Sequence, residues 1–153
     1  PVESSTPSLF ASVVLAPTAA QAERLLRSTL VRYWVLMGTS ASQWGELGSD
    51  HPFGPNFGGY GQVLPEAFDR RELDAAIARV PPEVVRSRLV SGTPRQVEAT
   101  IRDYADAGLR HIVVAPVAAL IRRRHQTYAL WALPRLVRAL RGPSSTATKG
   151  RSR

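Results

Sequence analysis

Residues 88–117 (RLVSGTPRQVEATIRDYADAGLRHIVVAPV) constrain the fold more than any other stretch of this chain. A short apolar run, Leu89-Val90, stops at Ser91-Gly92. Thr93 then stands as a helix N-cap, Pro94 suits the first helical position, and Gln96 completes a capping box with Thr93. Val97, Ile101, Tyr104 and Ala105 fall on one helical face. Gly108 supplies the left-handed residue that ends the helix. Residues 111–115 (HIVVA) follow as a β-branched run without polar alternation, the pattern of a strand covered on both faces. Strand, helix and strand make a β-α-β unit, whose strands are parallel and whose crossover is right-handed.

The rest of the chain repeats this grammar. Residues 1–8 are polar and Pro/Ser-rich and read as a linker. Residues 9–15 (LFASVVL) read as a strand. Thr18 with Gln21 repeats the capping box, opening a helix whose stripe runs through Leu25, Leu26, Leu30, Trp34 and Met37, with a bend expected at Ser28-Thr29. Asp69 caps a helix carrying Leu73, Ile77 and Val80 on one face. Pro81-Pro82 ends it, and a further turn runs on to Arg88. After residues 111–115, Pro116 breaks the strand. A last helix is expected over residues 117–140, with Leu120, Ile121, Tyr128, Trp131, Leu136, Val137 and Leu140 inward and a kink at Pro134. Residues 142–153 are low-complexity and basic, and read as a disordered tail. Three strand-helix units in alternation mean an α/β fold with a parallel sheet.

Residues 38–66 break the pattern. They hold seven of the eleven glycines, with Pro52, Pro55 and Pro65, and Trp44, Phe53, Phe57 and Tyr60 interleaved. No helical or strand period runs through them. A loop this long in a compact domain is functional or disordered, and four aromatics argue against disorder.

Composition excludes several classes. The chain of 153 residues has no cysteine, so disulfides, thiolate metal sites and cysteine nucleophiles are ruled out. That agrees with a cytoplasmic protein. The longest apolar run, residues 112–121, is too short to span a bilayer, and no secretion signal stands at the start. The net charge of +8 is uneven. Up to Asp106 there are 10 Arg against 12 acids; from Ala107 there are 9 Arg, 1 Lys and no acid. A uniform nucleic-acid-binding surface is not what this describes, and nucleic acid is not the expected partner.

The sequence also resembles a known family. VSGTPRQVEATIRDYADAGLRHIVVAPV is similar to the C-terminal signature of the luciferase-like monooxygenase superfamily, in which a GTP turn opens a helix ending in A-D-A-G and an H-[IV]-V strand follows. HPFGPNFGGYGQVLPEAFDRRELDAAIARVPPEVV resembles the loop and helix of its deazaflavin-dependent branch, the phthiodiolone ketoreductase-like reductases. LFASVVLAPTAAQAERLL resembles an earlier strand-helix pair. The resemblance covers residues 9–140. It implies the C-terminal part of a TIM-type (α/β)8 barrel, a fold of about 250 residues. It also implies an oxidoreductase passing hydride from coenzyme F-420 to a carbonyl-type substrate, with FMN as the alternative cofactor. The implied partners are the missing N-terminal barrel half, or a second copy, and a small or lipid-like substrate. The segments that would hold the redox ring lie outside this chain, so no catalytic residue is assigned, and a start at Pro1 fits a truncated product without turnover of its own. The contrasting reading is a non-catalytic remnant or interaction module with a basic C-terminus.

In parallel α/β folds ligands bind at the C-terminal ends of the strands. Ser91, Gly92 and Thr93 are therefore the candidate cofactor contacts, since the helix N-terminus after them can hold an anion; a well-capped helix with nothing bound is the bland alternative. Trp44, His51, Phe53, Phe57 and Tyr60 are the candidate substrate contacts, as a lid of flat rings over an apolar ligand. Against that stands a satellite core pinning the loop, with His51 as a turn residue rather than a proton donor. The three histidines show no metal spacing. The run from Arg122 to His125 can meet phosphates of a nucleic acid or a polyglutamate-tailed cofactor, although a solvated helix face is its commoner use.

Overall fold

The computed structural model describes residues 8–60 and 68–141. The expected linker (apart from Ser8), the expected tail from Gly142, and Gly61 and Pro65 of the loop lie outside them. The elements in chain order are β1 (Ser8–Leu15), α1 (Ala19–Leu26), α2 (Thr29–Gly38), α3 (Ala41–Gly45), α4 (Arg70–Ala78), α5 (Pro82–Arg88), β2 (Val90–Gly92), α6 (Pro94–Asp106), β3 (His111–Pro116), a 3-10 turn (Val117–Leu120) and α7 (Arg123–Leu140). The α/β class and the parallel sheet agree with the sequence.

All three strands are parallel, in the order β2-β1-β3. An arc of a barrel runs in chain order, so the arrangement expected from the resemblance is not the one adopted. Edge pairing supplies a reason. β1 is the longest strand, and at the centre it pairs along one edge from Ser8↔His111 to Val13↔Pro116 and along the other from Val13↔Val90 to Leu15↔Gly92. In chain order the three-residue β2 would hold the centre, leaving eight residues of β1 with one edge unpaired.

The strand alternation splits the core into two layers. Ala11, Val13 and Leu15 face α6 and α7, joining Val97, Ile101, Ala132 and Leu136. Val14, with Ala16 just after the strand, faces α1, α2 and α5, joining Leu25, Leu26, Val31, Val35 and Val84. Helices therefore cover the C-terminal half of β1 from both sides, and residues 13–15 of β1 are apolar in succession because they are buried on both faces.

Several local expectations are corrected. The long first helix does not bend at Ser28; it divides there. Ser28 Oγ donates to the Leu25 carbonyl at 2.7 Å and accepts the Val31 amide at 3.4 Å, so one serine closes α1 and caps α2. β3 is not covered on both faces: Val113 is 57% exposed beside its register partner Phe10 at 61%. The α1–α2 layer reaches only the C-terminal half of that face, where Trp34 Nε1 donates to Ser12 Oγ at 3.0 Å. The last helix begins at Arg123 after the 3-10 turn, with Pro134 inside it. Leu120, Trp131 and Val137 are exposed rather than inward. Ala129, Ala132 and Leu136 face the core instead, the two alanines letting α7 approach closely.

Strand order can be tested by covalent trapping. With no native cysteine, Phe10→Cys with Val113→Cys should oxidise to an intramolecular disulfide, since facing strands lie about 4.8 Å apart. In chain order the two positions would be about twice that distance apart, and failure to cross-link under oxidant would refute the central position of β1.

Candidate functional site

The residues singled out from the sequence fall in separate places. Within the glycine-rich loop, Ser40 and Gln43 form a capping box: Ser40 Oγ accepts the Gln43 amide, and Gln43 Oε1 accepts the Ser40 amide at 3.0 Å. This starts α3, a helix not anticipated from the sequence although its Ser-x-x-Gln signature stood there to be read. α3 delivers Trp44 into the core at 0% exposure, where its indole N–H donates to Thr39 Oγ1 at 2.6 Å. Thr39 in turn donates to the Val35 carbonyl at 2.6 Å, so the loop is tied to the last turn of α2.

His51 sits against this indole, ring centres 4.7 Å apart and edge-on. It stacks on Phe57 at 4.4 Å, and Phe53 meets both Phe57 and Phe68. The imidazole is 5% exposed. Its Nε2–H donates to the Leu36 carbonyl at 3.0 Å, and its Nδ1 accepts the Phe53 amide at 3.2 Å; these partners fix the neutral tautomer. Burial lowers its pKa from the ordinary value, against the opposite pull of the Leu36 carbonyl. Both ring nitrogens are thus engaged by backbone. Trp44, His51, Phe53 and Phe57 form one packed cluster, continuous with the core through Trp44 and Phe53. Tyr60 stands apart. It is 53% exposed, lies edge-on to Trp34 at 5.8 Å and donates from its hydroxyl to the Trp34 carbonyl at 3.3 Å. Burial and nearby Tyr33 push its pKa up to about 12.

Ser91, Gly92 and Thr93 lie at the end of β2. The capping box read from the sequence is present: Thr93 Oγ1 accepts the Gln96 amide at 3.4 Å, and Gln96 Oε1 accepts the Thr93 amide at 3.0 Å. Gly92 holds φ +145, and a Cβ there would lie 2.8 Å from Gln96 Oε1. The cap itself occupies the amides of Thr93 and Gln96, and Pro94 has none. Only the Arg95 amide is left in the first turn to meet an anion, so the cradle inferred from sequence is a weak one. Ser91 does line a hollow of about 520 Å³, but along Leu9–Ser12 and the start of β2, away from the strand C-termini.

A hollow of about 600 Å³ does lie at the C-terminal ends of β1 and β3, between α1 and α7. Its polar wall is Gln21, Arg24, Arg122, Arg124, His125 and Tyr128. Sequence reading noted the Arg122–His125 run but not Arg24, since no spacing links residues about 100 positions apart. No group of three or more His, Asp or Glu able to hold a metal occurs among the described residues. No helix of the described residues is long and apolar enough to cross a membrane.

Fold and site together describe a parallel α/β protein with a ligand-sized hollow between α1 and α7. The chain is similar to the phthiodiolone/phenolphthiodiolone dimycocerosates ketoreductase of Mycobacterium tuberculosis (strain ATCC 25618 / H37Rv), 28% identical over 111 residues. It is similar too to the protein of the same name from Mycobacterium kansasii, 30% identical over 108 residues. These alignments take in 72% and 71% of this chain but only 29% of each relative. No family model matches the chain, and no solved structure matches it.

Two measurements check this account. Because the His51 pKa is lowered by folding, the unfolded chain binds the proton more readily, and stability is full above pH 6.5 and falls as pH drops below it. Urea midpoints between pH 7.5 and 5 should show this fall, to which His51 contributes at most about 1.4 kcal/mol per pH unit beside His125, whose pKa folding also lowers, so His51→Gln should lessen the slope; an unchanged slope would contradict the buried neutral ring. Separately, Gly92→Ala should lower stability by about 1–3 kcal/mol through backbone strain and loss of the cap, read as a lower urea midpoint.

Proposed function

We propose that this chain is part of an oxidoreductase that reduces a ketone on a lipid-like molecule, with coenzyme F-420 as the hydride source. What supports this reading is the similarity to proteins named ketoreductases over more than two thirds of the chain. In such a reduction the carbonyl carbon takes a hydride, the oxygen takes a proton, and the donor is oxidised. The cofactor supplies the hydride, while protein groups position it and exclude water.

The residues of this chain do not by themselves fit a deazaflavin or flavin ring. The loop aromatics are packed on one another, and the Thr93 turn spends its amides on its own cap. No step through the cofactor is therefore assigned to them. Their part in this reading is supportive: Trp44, His51, Phe53 and Phe57 stiffen the loop as a wall, and Tyr60 presents an exposed ring to an apolar substrate. FMN is the alternative cofactor, in a monooxygenase of the same superfamily. The barrel architecture is carried by the resemblance alone, because the strand order differs from it.

The longest native polypeptide containing this segment should be mixed with reduced F-420 and a long-chain ketone, and cofactor absorbance followed. Oxidation that depends on the ketone is the expected outcome. Activity with reduced FMN and dioxygen instead, or with neither, would overturn the assignment. The 153-residue chain alone is expected to give no turnover.

A further inference from the structure

The hollow between α1 and α7 is not explained by the oxidoreductase reading. Its place is distinctive. From β1 the chain runs into α1 on one face of the sheet; from β3 it first makes the 3-10 turn, whose Val117 and Ala118 pack on that same face, and only then does α7 pass to the other. Two neighbouring parallel strands whose connections diverge in this way leave a crevice at their C-terminal ends, where α/β sheets bind ligands.

The charge on its walls breaks a local rule. Arg122, Arg123 and Arg124 stand at the N-terminus of α7, and the first turn holds no acidic residue and no side-chain cap. Cations there oppose the helix dipole and cost stability. Arg24 adds a third guanidinium to the lining from α1. Among the described residues no carboxylate pairs with Arg24, Arg122 or Arg124; Glu23, beside Arg24 in sequence, is taken by Arg86 at 3.0 Å. Among the described residues, the one polar partner of these three side chains is His125, whose Nε2 accepts from Arg124 Nε at 3.3 Å. Burial first, and then the charges of Arg124 and Arg122, lower the His125 pKa, so the imidazole stays neutral in a positive field. Gln21 and the Tyr128 hydroxyl add neutral hydrogen-bonding groups, and Leu25 and Ile121 give the hollow an apolar side.

We propose that this hollow binds a small phosphate-bearing molecule, with Arg24, Arg122 and Arg124 holding the phosphate and the apolar side holding its organic part. Guanidinium forks match phosphate oxygens, and a dianion at this place offsets the misplaced charge at the start of α7. The volume of about 600 Å³ suits a small molecule rather than a bare ion. This hollow and its arginines stand apart from the redox reading.

The test uses the 153-residue chain, labelled with nitrogen-15 and titrated with inorganic pyrophosphate. The side-chain Nε–H signals of Arg24, Arg122 and Arg124 should shift together and saturably. Replacing these three by Gln should weaken binding at least about tenfold, whereas Arg95→Gln with Arg138→Gln and Arg141→Gln, the same loss of charge elsewhere, should weaken it less than about threefold. Urea unfolding gives an independent reading: without ligand the first variant should match or exceed the parent, since it removes cations from a helix N-terminus, and added pyrophosphate should stabilise the parent but not the variant. Equal losses in both variants would mean diffuse attraction to a basic chain and overturn the proposal, as would no saturable shift. No turnover is measured, so failure here leaves the reductase assignment standing, and the reverse holds too.

Discussion

Everything in this structure hangs on the double pairing of β1. A strand that pairs with β3 over its first six residues and with β2 over its last three, and whose last three residues are buried on both faces, can sit only at the middle of a three-layer stack. Once it does, β2 and β3 become edges, and the helices after them fall to one face while those after β1 fall to the other. The two core layers, with Val13 on one side and Val14 on the other, are one alternation seen from both faces. The crevice between α1 and α7 follows from the same cause, because helices that come to lie on opposite faces after adjacent strands leave a gap where they part.

The glycine-rich loop shows how an irregular segment is held without a regular period. Three short hydrogen bonds, from Trp44 to Thr39, from Thr39 to Val35 and from His51 to Leu36, fasten it to the C-terminal turn of α2. The rings then close over those bonds and exclude water, which strengthens each of them. Glycine matters here chiefly where Tyr60 packs against Gly38, since a Cβ there would come within 2.8 Å of the ring. Ring-rich loops invite a binding interpretation, but rings that satisfy one another have little surface left for a ligand.

Charge tells a complementary story. Three of the four ion pairs of the described residues are solvent-facing and contribute little to stability, while in the fourth Arg88 is largely buried. The arginines without carboxylates are more informative, because a fold gains nothing from crowding them at the positive end of a helix. Such a breach of local preference is the mark of a site rather than of a scaffold.

Much of this protein was legible in the amino-acid sequence, and the reason is locality. Both cappings at Thr18 and Thr93, the left-handed Gly108, the paired prolines before α5 and the β-branched run of β3 depend on neighbours within about four positions, so the chain alone determines them. The break at Ser28, expected as a bend and found as a division, and the turn of α3 at Ser40, which a search for longer periodicities passes over, are written in the same code. What the tertiary structure decided is everything that joins distant positions: which strand takes the middle, which face of α7 turns inward, whether the loop aromatics meet a ligand or one another, and that Arg24 stands opposite Arg122. Those outcomes are set by competition for paired edges and buried area among all the elements at once, and no spacing along the chain records the winner.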